Sequence, residues 1–165
     1  MKKLGKYSMG IGDRFGQQAG AQLKAIIDAG KKGVEITPVW NKSNREHIII
    51  GTEPADVRRE ADEAVKDAKF RKPYFVDADH INFDTVGRFI DVSDFFTIDV
   101  AAYIGQKACE EDIKAFVKKA GKYRGKLHIQ GIPKPFNITT TYLKKVAEKY
   151  LFATKMAGVI YRKME

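Results

Sequence analysis

Short apolar runs, bounded by glycine, proline or polar clusters, alternate along this chain with longer stretches in which apolar residues recur every three or four positions. The runs have the length and composition of strands, and the longer stretches have the period of amphipathic helices. Residues 7–12 predict a first strand, with a turn over 12–16 and then a helix over 17–28 that gathers Leu23, Ile26 and Ile27 on one face. Gly30 suits its C-terminal cap. Residues 34–40 predict a second strand that Pro38 should end or bend. A polar loop over 41–47 and a small extra strand over 48–50 are expected next. Thr52 suits an N-cap and Pro54 a first helical turn. The helix they open carries Val57, Ala61, Ala64, Val65 and Ala68 on one face and sends its run of charged residues to water.

Tyr74, Phe75 and Val76 form a third strand that ends abruptly in Asp77, Asp79 and His80. A short helix with Val86, Phe89 and Ile90 inward, a fourth strand over 95–100 and a helix over 112–120 follow. A short strand over 126–129 and a rigid loop over 131–137 precede a last helix that starts at Thr139 or Thr140, with Leu143, Val146, Tyr150 and Leu151 on its apolar face. Residues 157–161 suit one more strand. Strand and helix thus alternate in the manner of a parallel α/β protein. A complete eight-fold α/β barrel takes about 250 residues, so 165 residues supply roughly four or five of its βα units. The expectation is a single α/β domain over residues 1–165, parallel (β/α) barrel-type, as an incomplete barrel. Either it closes as a smaller open sheet or it is part of a longer ancestral chain.

Composition narrows the function. Apolar residues make up 44% of the chain, ordinary for a globular domain. No stretch is long enough for a transmembrane helix, and the basic N-terminus lacks the apolar core of a signal peptide, so a cytoplasmic protein with no membrane partner is expected. The lone Cys109 cannot form an internal disulfide, and the acidic residues that follow it disfavour a thiolate. The net charge of +9 suits an anionic partner, a small acid or a nucleic acid. The lysines are interspersed with acids rather than gathered in a stripe, which argues against nucleic acid. A non-catalytic module for anions or nucleic acid is the alternative to an enzyme.

The chain lacks most of the motifs that mark common chemistries. Gly10 and Gly12 are followed by Gly16, which breaks the spacing of the dinucleotide fingerprint; there is no P-loop and no serine elbow. What remains is the end of the third strand. Ligands of parallel α/β folds bind outside the carboxyl ends of the strands, and Asp with His can bind a divalent metal or move a proton. Asp79 also suits a simple turn cap, and His80 a surface loop. His47 reads as a solvated loop histidine or a ligand, and His128 as a residue within a strand. Arg14, Lys42 and Arg45, in the loops expected after the first two strands, would suit a carboxylate substrate.

Several long blocks carry a resemblance. Residues 10–15, 35–47, 51–58 and 74–80, which include Asp13, Arg14, Trp40, Asn41, Lys42, Arg45, His47, Pro54, Asp77, Asp79 and His80, resemble the N-terminal part of tagaturonate/fructuronate epimerases. The resemblance implies a metal-dependent enzyme of hexuronate catabolism that interconverts D-tagaturonate and D-fructuronate, two anionic keto-uronates. It implies a divalent metal cation as cofactor. By analogy with the strand-end Asp-His of metal-dependent aldolases, it implies His80 as metal ligand and Asp79 as catalytic acid/base, with Arg14, Lys42, Arg45, His47 and Asp77 as substrate contacts. Family members are longer, so the resemblance further implies an incomplete or inactive fragment, or a need for a C-terminal partner chain or a second copy.

Overall fold

Four parallel strands, β1 (Ser8–Gly12), β2 (Thr37–Ser43), β3 (Phe75–Ile81) and β4 (Phe95–Ile98), lie side by side in the order in which the chain makes them. They belong to the computed structural model of the chain, which describes residues 3–165. The chain divides into two compact units, one running to Asp99 and taking in Lys163–Glu165, the other Val100–Arg162.

In the first unit, α1 (Ala19–Lys31) follows β1, and α2 (Asn44–Ile50) and α3 (Pro54–Asp67) follow β2. Leu23 of α1 and Val57, Ala61 and Ala64 of α3 pack with Trp40 and Val76 in one buried cluster, with Ile11 against it. Ile11, Trp40 and Val76 occupy one register row. Both helices therefore cover the same face of the sheet. A strand order without reversal and helices on one face is single winding, as in (β/α) barrels, rather than the double winding of an open sheet. The parallel strands number four and do not close on themselves among the described residues.

Several local expectations give way to tertiary structure. Pro38 neither ends nor bends β2. It is paired in register with Met9. The preceding amide, Thr37, donates to Tyr7 of the β1 side, so position 38 faces the β3 side, where pairing begins only at Val39 with Phe75. No ladder bond is lost there, and the proline is harmless. β2 then runs on through Ser43, so Lys42 is a strand residue and not a loop residue. The run at 48–50 is the end of α2 rather than a strand. Its start is written in Ser43 and Glu46, which form a capping box: the Ser43 hydroxyl accepts from the Glu46 amide, and the Glu46 carboxylate accepts from the Ser43 amide at 2.9 Å. Gly51 closes α2 in the left-handed conformation. Gly30 lies inside α1, and Gly33, with φ 86°, takes up the turn after it.

The charged run on α3 is not wholly solvated. Arg58 donates from Nε to the Val92 carbonyl at 2.9 Å and from Nη2 to Asp94 at 2.5 Å, and Asp94 also accepts from the Val76 amide. Glu60 reaches the first amide of α1, at Ala19.

The second unit holds α4 (Glu110–Ala120), the antiparallel pair β5 (Gly125–Leu127) and β6 (Phe136–Ile138), and α5 (Thr140–Met164), whose last residues belong to the first unit. Ala108, Ile113 and Ala147 form its buried centre. The strand expected at 126–129 is thus half of a short hairpin and not a further parallel strand. The strand expected at 157–161 is absent: α5 continues through it. No helix among the described residues is long and apolar enough to cross a membrane.

Candidate functional site

β3 does not end as a regular strand. Its pairing with β4 shifts register between Ala78 and Ile81, and His80 has φ 52°, one of two non-glycine residues with positive φ among those described. This is a β-bulge, a device that re-aims a side chain at the rim of a sheet. Here it brings His80 Nδ1 to 2.7 Å from Asp79 Oδ1. With its side chain 65% exposed, the imidazole stands in solvent, while Asp79 is mostly buried.

Around the pair lies a cleft of about 390 Å³, lined by residues that include Ser43, Arg45, Glu46, Asn82 and Asp99. All come from the carboxyl ends of β2, β3 and β4 or the segments directly after them. Asn82 is held as a turn: its Oδ1 accepts from the amides of Asp84 and Thr85 at 3.0 Å each. Arg88 steadies the opposite wall by donating to Asn44 and to Glu53. Glu46 carries a carboxylate held low, its Ser43 hydrogen bonds together with Arg14 and Lys42 outweighing the upward effect of burial.

Of the residues expected at a site, the cleft takes Asp79, His80 and Arg45. Arg14 lies beside it, exposed, 3.9 Å from Glu46. Asp77 is buried within β3, one register row below Asp79 on the same face, and Thr97 Oγ1 lies 3.1 and 2.9 Å from its two oxygens. Burial, then the Asp79 charge, pushes its carboxyl up to about 6 against the opposing Thr97 hydrogen bonds. Lys42 is buried and alternates with Ser43, so it points to the helix-covered face, where a side chain on Gly16 would meet its Nζ at 3.1 Å. His47 is no loop histidine. It sits in α2, 1% exposed, with Nδ1 2.9 Å from Thr52 Oγ1 and its ring 5.8 Å from that of Phe89. His128 is exposed and lies just after β5.

Chemically, Asp79 fixes the His80 tautomer. A carboxylate at Nδ1 holds the proton there and leaves Nε2 with its lone pair, able to take a proton or to bind a cation. A complete metal site is another matter: among the described residues no group of three His, Cys, Asp or Glu side chains converges to hold an ion. The donors described therefore do not make a metal centre by themselves.

The sequence profile of UxaE, tagaturonate epimerase, matches residues 1–164. The chain belongs to the tagaturonate epimerase family. In three dimensions it is similar to crystal structures of fructuronate-tagaturonate epimerase UxaE from Cohnella laeviribosi. The native form superposes with a TM-score of 0.71 at 23% identity over 95% of this chain. A glycerol-complexed form gives 0.71 at 21% identity. The chain spans about a third of the length of those proteins, 34%. None of the curated proteins matches. For a member of the tagaturonate epimerase family, the cleft residues that sequence reasoning passed over are Ser43, Asn44, Glu46, Asn82, Thr85 and Asp99. Ser43 and Glu46 had a legible signal, the capping-box spacing. Arg88 had none, because its partners are 44 and 35 residues away.

Proposed function

We propose that this chain carries one wall of the active site of an epimerase that interconverts D-tagaturonate and D-fructuronate. The single observation behind this reading is the Asp79–His80 pair, set on a bulge at the carboxyl end of a parallel strand and facing a polar cleft, in a chain of the tagaturonate epimerase family. Epimerisation at a hydroxyl-bearing carbon needs a group that removes and returns a proton, or one that breaks and remakes the adjacent carbon bond. In this reading His80, oriented by Asp79, works through Nε2. Asp79 keeps Oδ2 for proton transfer. Arg45 at the cleft takes the substrate carboxylate, for which a guanidinium fork is suited.

We further propose that metal dependence runs through Nε2 of His80 as a single ligand. The remaining donors would come from a C-terminal partner chain or a second copy. The cleft mixes Arg45 with Glu46, Asp79 and Asp99, a pattern that supports a small polar acid rather than a polyanion.

The test is direct. Purified protein, alone and with a C-terminal segment of a relative added in trans, is assayed for tagaturonate–fructuronate interconversion, and its bound divalent metal is counted. Asp79→Asn, which removes the proton-transfer group, should lower activity by about 100-fold or more, within the usual range for acid/base groups, and His80→Ala, which removes the proposed ligand, should lower it as well. Full activity in both variants would end the assignment. Equal metal content in wild type and His80→Ala would end the ligand role alone.

A further inference from the structure

The positive charge of the chain is not shared between its two units. The second unit, Val100–Arg162, holds thirteen Lys and Arg against four Asp and Glu. The first unit holds equal numbers of each sign, so the whole formal charge of +9 lies in the second. Eleven of the thirteen basic residues are lysine. Three of the four acids are already engaged: Glu110 with Lys107 at 2.6 Å, Glu148 with Lys144 at 3.9 Å, and Asp112 with Lys155. Lys114 and Lys118 enter no ion pair among the described residues. Charge of one sign that a unit does not balance within itself attracts a surface of the other sign.

Those two lysines border a groove. Between α4 and the start of α5 lies a hollow of about 420 Å³, lined by Ile113, Lys114, Val117 and Lys118 of α4 and by Thr140 and Lys144 of α5. Ile113 is buried and Val117 half-buried, and together they make an apolar floor. Lys114, Lys118 and Lys144 are exposed. Their stems flank the floor while their ammonium groups reach water. Glu110, at the same groove, is neutralised by Lys107. Along α4 a spacing of four residues sets Ile113 and Val117 in one row and Lys114 and Lys118 in the next. The groove therefore offers an apolar row and a cationic row side by side, both running along the helix.

We propose that this groove docks an acidic amphipathic helix of a partner protein, with apolar side chains on Ile113 and Val117 and carboxylates on Lys114, Lys118 and Lys144. An amphipathic helix laid in a groove presents its anchors at the same spacing of three and four residues that α4 offers. A second copy of this chain does not match: its first unit has no excess of acid, and its second unit repels. A nucleic acid matches the charge but not the floor, since no aromatic side chain lines the groove to stack a base. The groove shares no residue with the cleft around Asp79 and His80, and the proposal does not rest on the epimerase reading.

The experiment titrates the full chain with a fluorescent peptide of about five helical turns, leucines on one face and glutamates on the face beside it, and reads anisotropy. A peptide of the same composition in scrambled order and a single-stranded oligonucleotide are titrated in parallel. The ordered peptide should bind about tenfold more tightly than the scrambled one, and its affinity should fall as salt rises. Lys114→Glu combined with Lys118→Glu should weaken it about tenfold or more. Lys122→Glu combined with Lys134→Glu changes the net charge equally outside the groove and should weaken it far less. Val117→Asp should abolish the preference for the ordered peptide; if it fails to fold, the exposed lysine pair carries the test. Equal affinity for the two peptides, or equal losses in the two lysine pairs, overturns the groove. An oligonucleotide bound more tightly than the ordered peptide overturns the partner class. No binding of the ordered peptide overturns the proposal.

Discussion

Asp79 and His80 are consecutive residues of one strand, yet Asp79 Oδ1 and His80 Nδ1 are 2.7 Å apart. In a regular strand neighbouring side chains leave opposite faces and cannot meet. The contact exists because His80 adopts φ 52° where β3 slips register against β4. Left-handed backbone at a non-glycine residue costs on the order of 1–2 kcal/mol. The bulge thus spends stability to put an imidazole where a flat strand would not.

That cost is measurable. His80→Gly removes the side-chain penalty at a position already left-handed, whereas His80→Ala keeps the penalty and loses the imidazole. The glycine variant should be more stable than the alanine variant by about 1 kcal/mol, and both should lose the function assigned to the pair. Urea denaturation of the three proteins measures it. An alanine variant at least as stable as the glycine variant would show that the backbone at residue 80 carries no strain.

Two buried groups of the first unit titrate in opposition. Burial, with Lys42 and Arg88 adding to it, lowers the His47 imidazole from 6.5 to about 4. Between those values the unfolded chain binds a proton that the folded chain refuses, so stability falls as pH drops through this window. Asp77, raised by burial from 3.8 to about 6, does the reverse. Between pH 4 and 6 the folded chain holds a proton that the unfolded chain releases, and stability falls as pH rises. The wild-type contributions of these two groups should largely cancel from pH 4 to 6.5. His47→Gln should leave stability falling as pH rises, and Asp77→Asn should leave it falling as pH drops, each by up to about 3 kcal/mol across the window. Denaturant midpoints at half-unit pH steps check the signs; the same slope in both variants would refute the opposition.

The parallel strands and the position of the cleft were legible because they rest on local signals. β3 is a dense apolar run, and α3 has a clean helical face behind Pro54, although its N-cap is Glu53 and not the expected Thr52, whose hydroxyl meets His47 instead. The errors arise where a distant partner decides. Pro38 lies in a central strand only because β3 has not yet begun to pair opposite it, which no local rule could show. Residues 48–50 look like a strand by composition but follow a capped helix start at Ser43. Residues 157–161 favour a strand locally, yet they continue a helix of 25 residues. At the site, Asp79 and His80 could be singled out by type and place. Their mutual contact could not, since it depends on a bulge that needs β4 as its partner.

The cap of α2 should matter more to the cleft than to the fold. Ser43 both lines the cleft and opens the helix that carries Arg45 and Glu46 to its rim. Ser43→Ala removes the hydroxyl that accepts from the Glu46 amide and should cost about 1 kcal/mol. Ser43→Asp keeps an N-cap acceptor but places it against Glu46, so it should recover little. Hydrogen exchange over residues 44–50 should quicken in Ser43→Ala while β3 stays protected. Unchanged exchange in α2 would mean that the Arg88 contacts to Asn44 and Glu53 hold the helix without its cap.

Arg58 helps keep β3 and β4 aligned beneath the bulge. Its Nε bonds the Val92 carbonyl at 2.9 Å, its Nη2 reaches Asp94 at 2.5 Å, and Asp94 in turn accepts from the Val76 amide at 3.1 Å. One guanidinium therefore ties α3 to the turn that enters β4, and through Asp94 to β3. With both side chains largely shielded, at 21% and 24% exposure, the pair should be worth more than a surface ion pair. Lysine keeps the charge but has no fork with which to reach a carbonyl and a carboxylate together. Arg58→Lys should therefore destabilise by about 1–2 kcal/mol and Arg58→Ala by about 2–3 kcal/mol. Both should speed exchange at the Asp94 amide, which bonds the Val76 carbonyl at 2.9 Å. If lysine preserved wild-type stability, charge alone would explain the contact and the fork would be irrelevant.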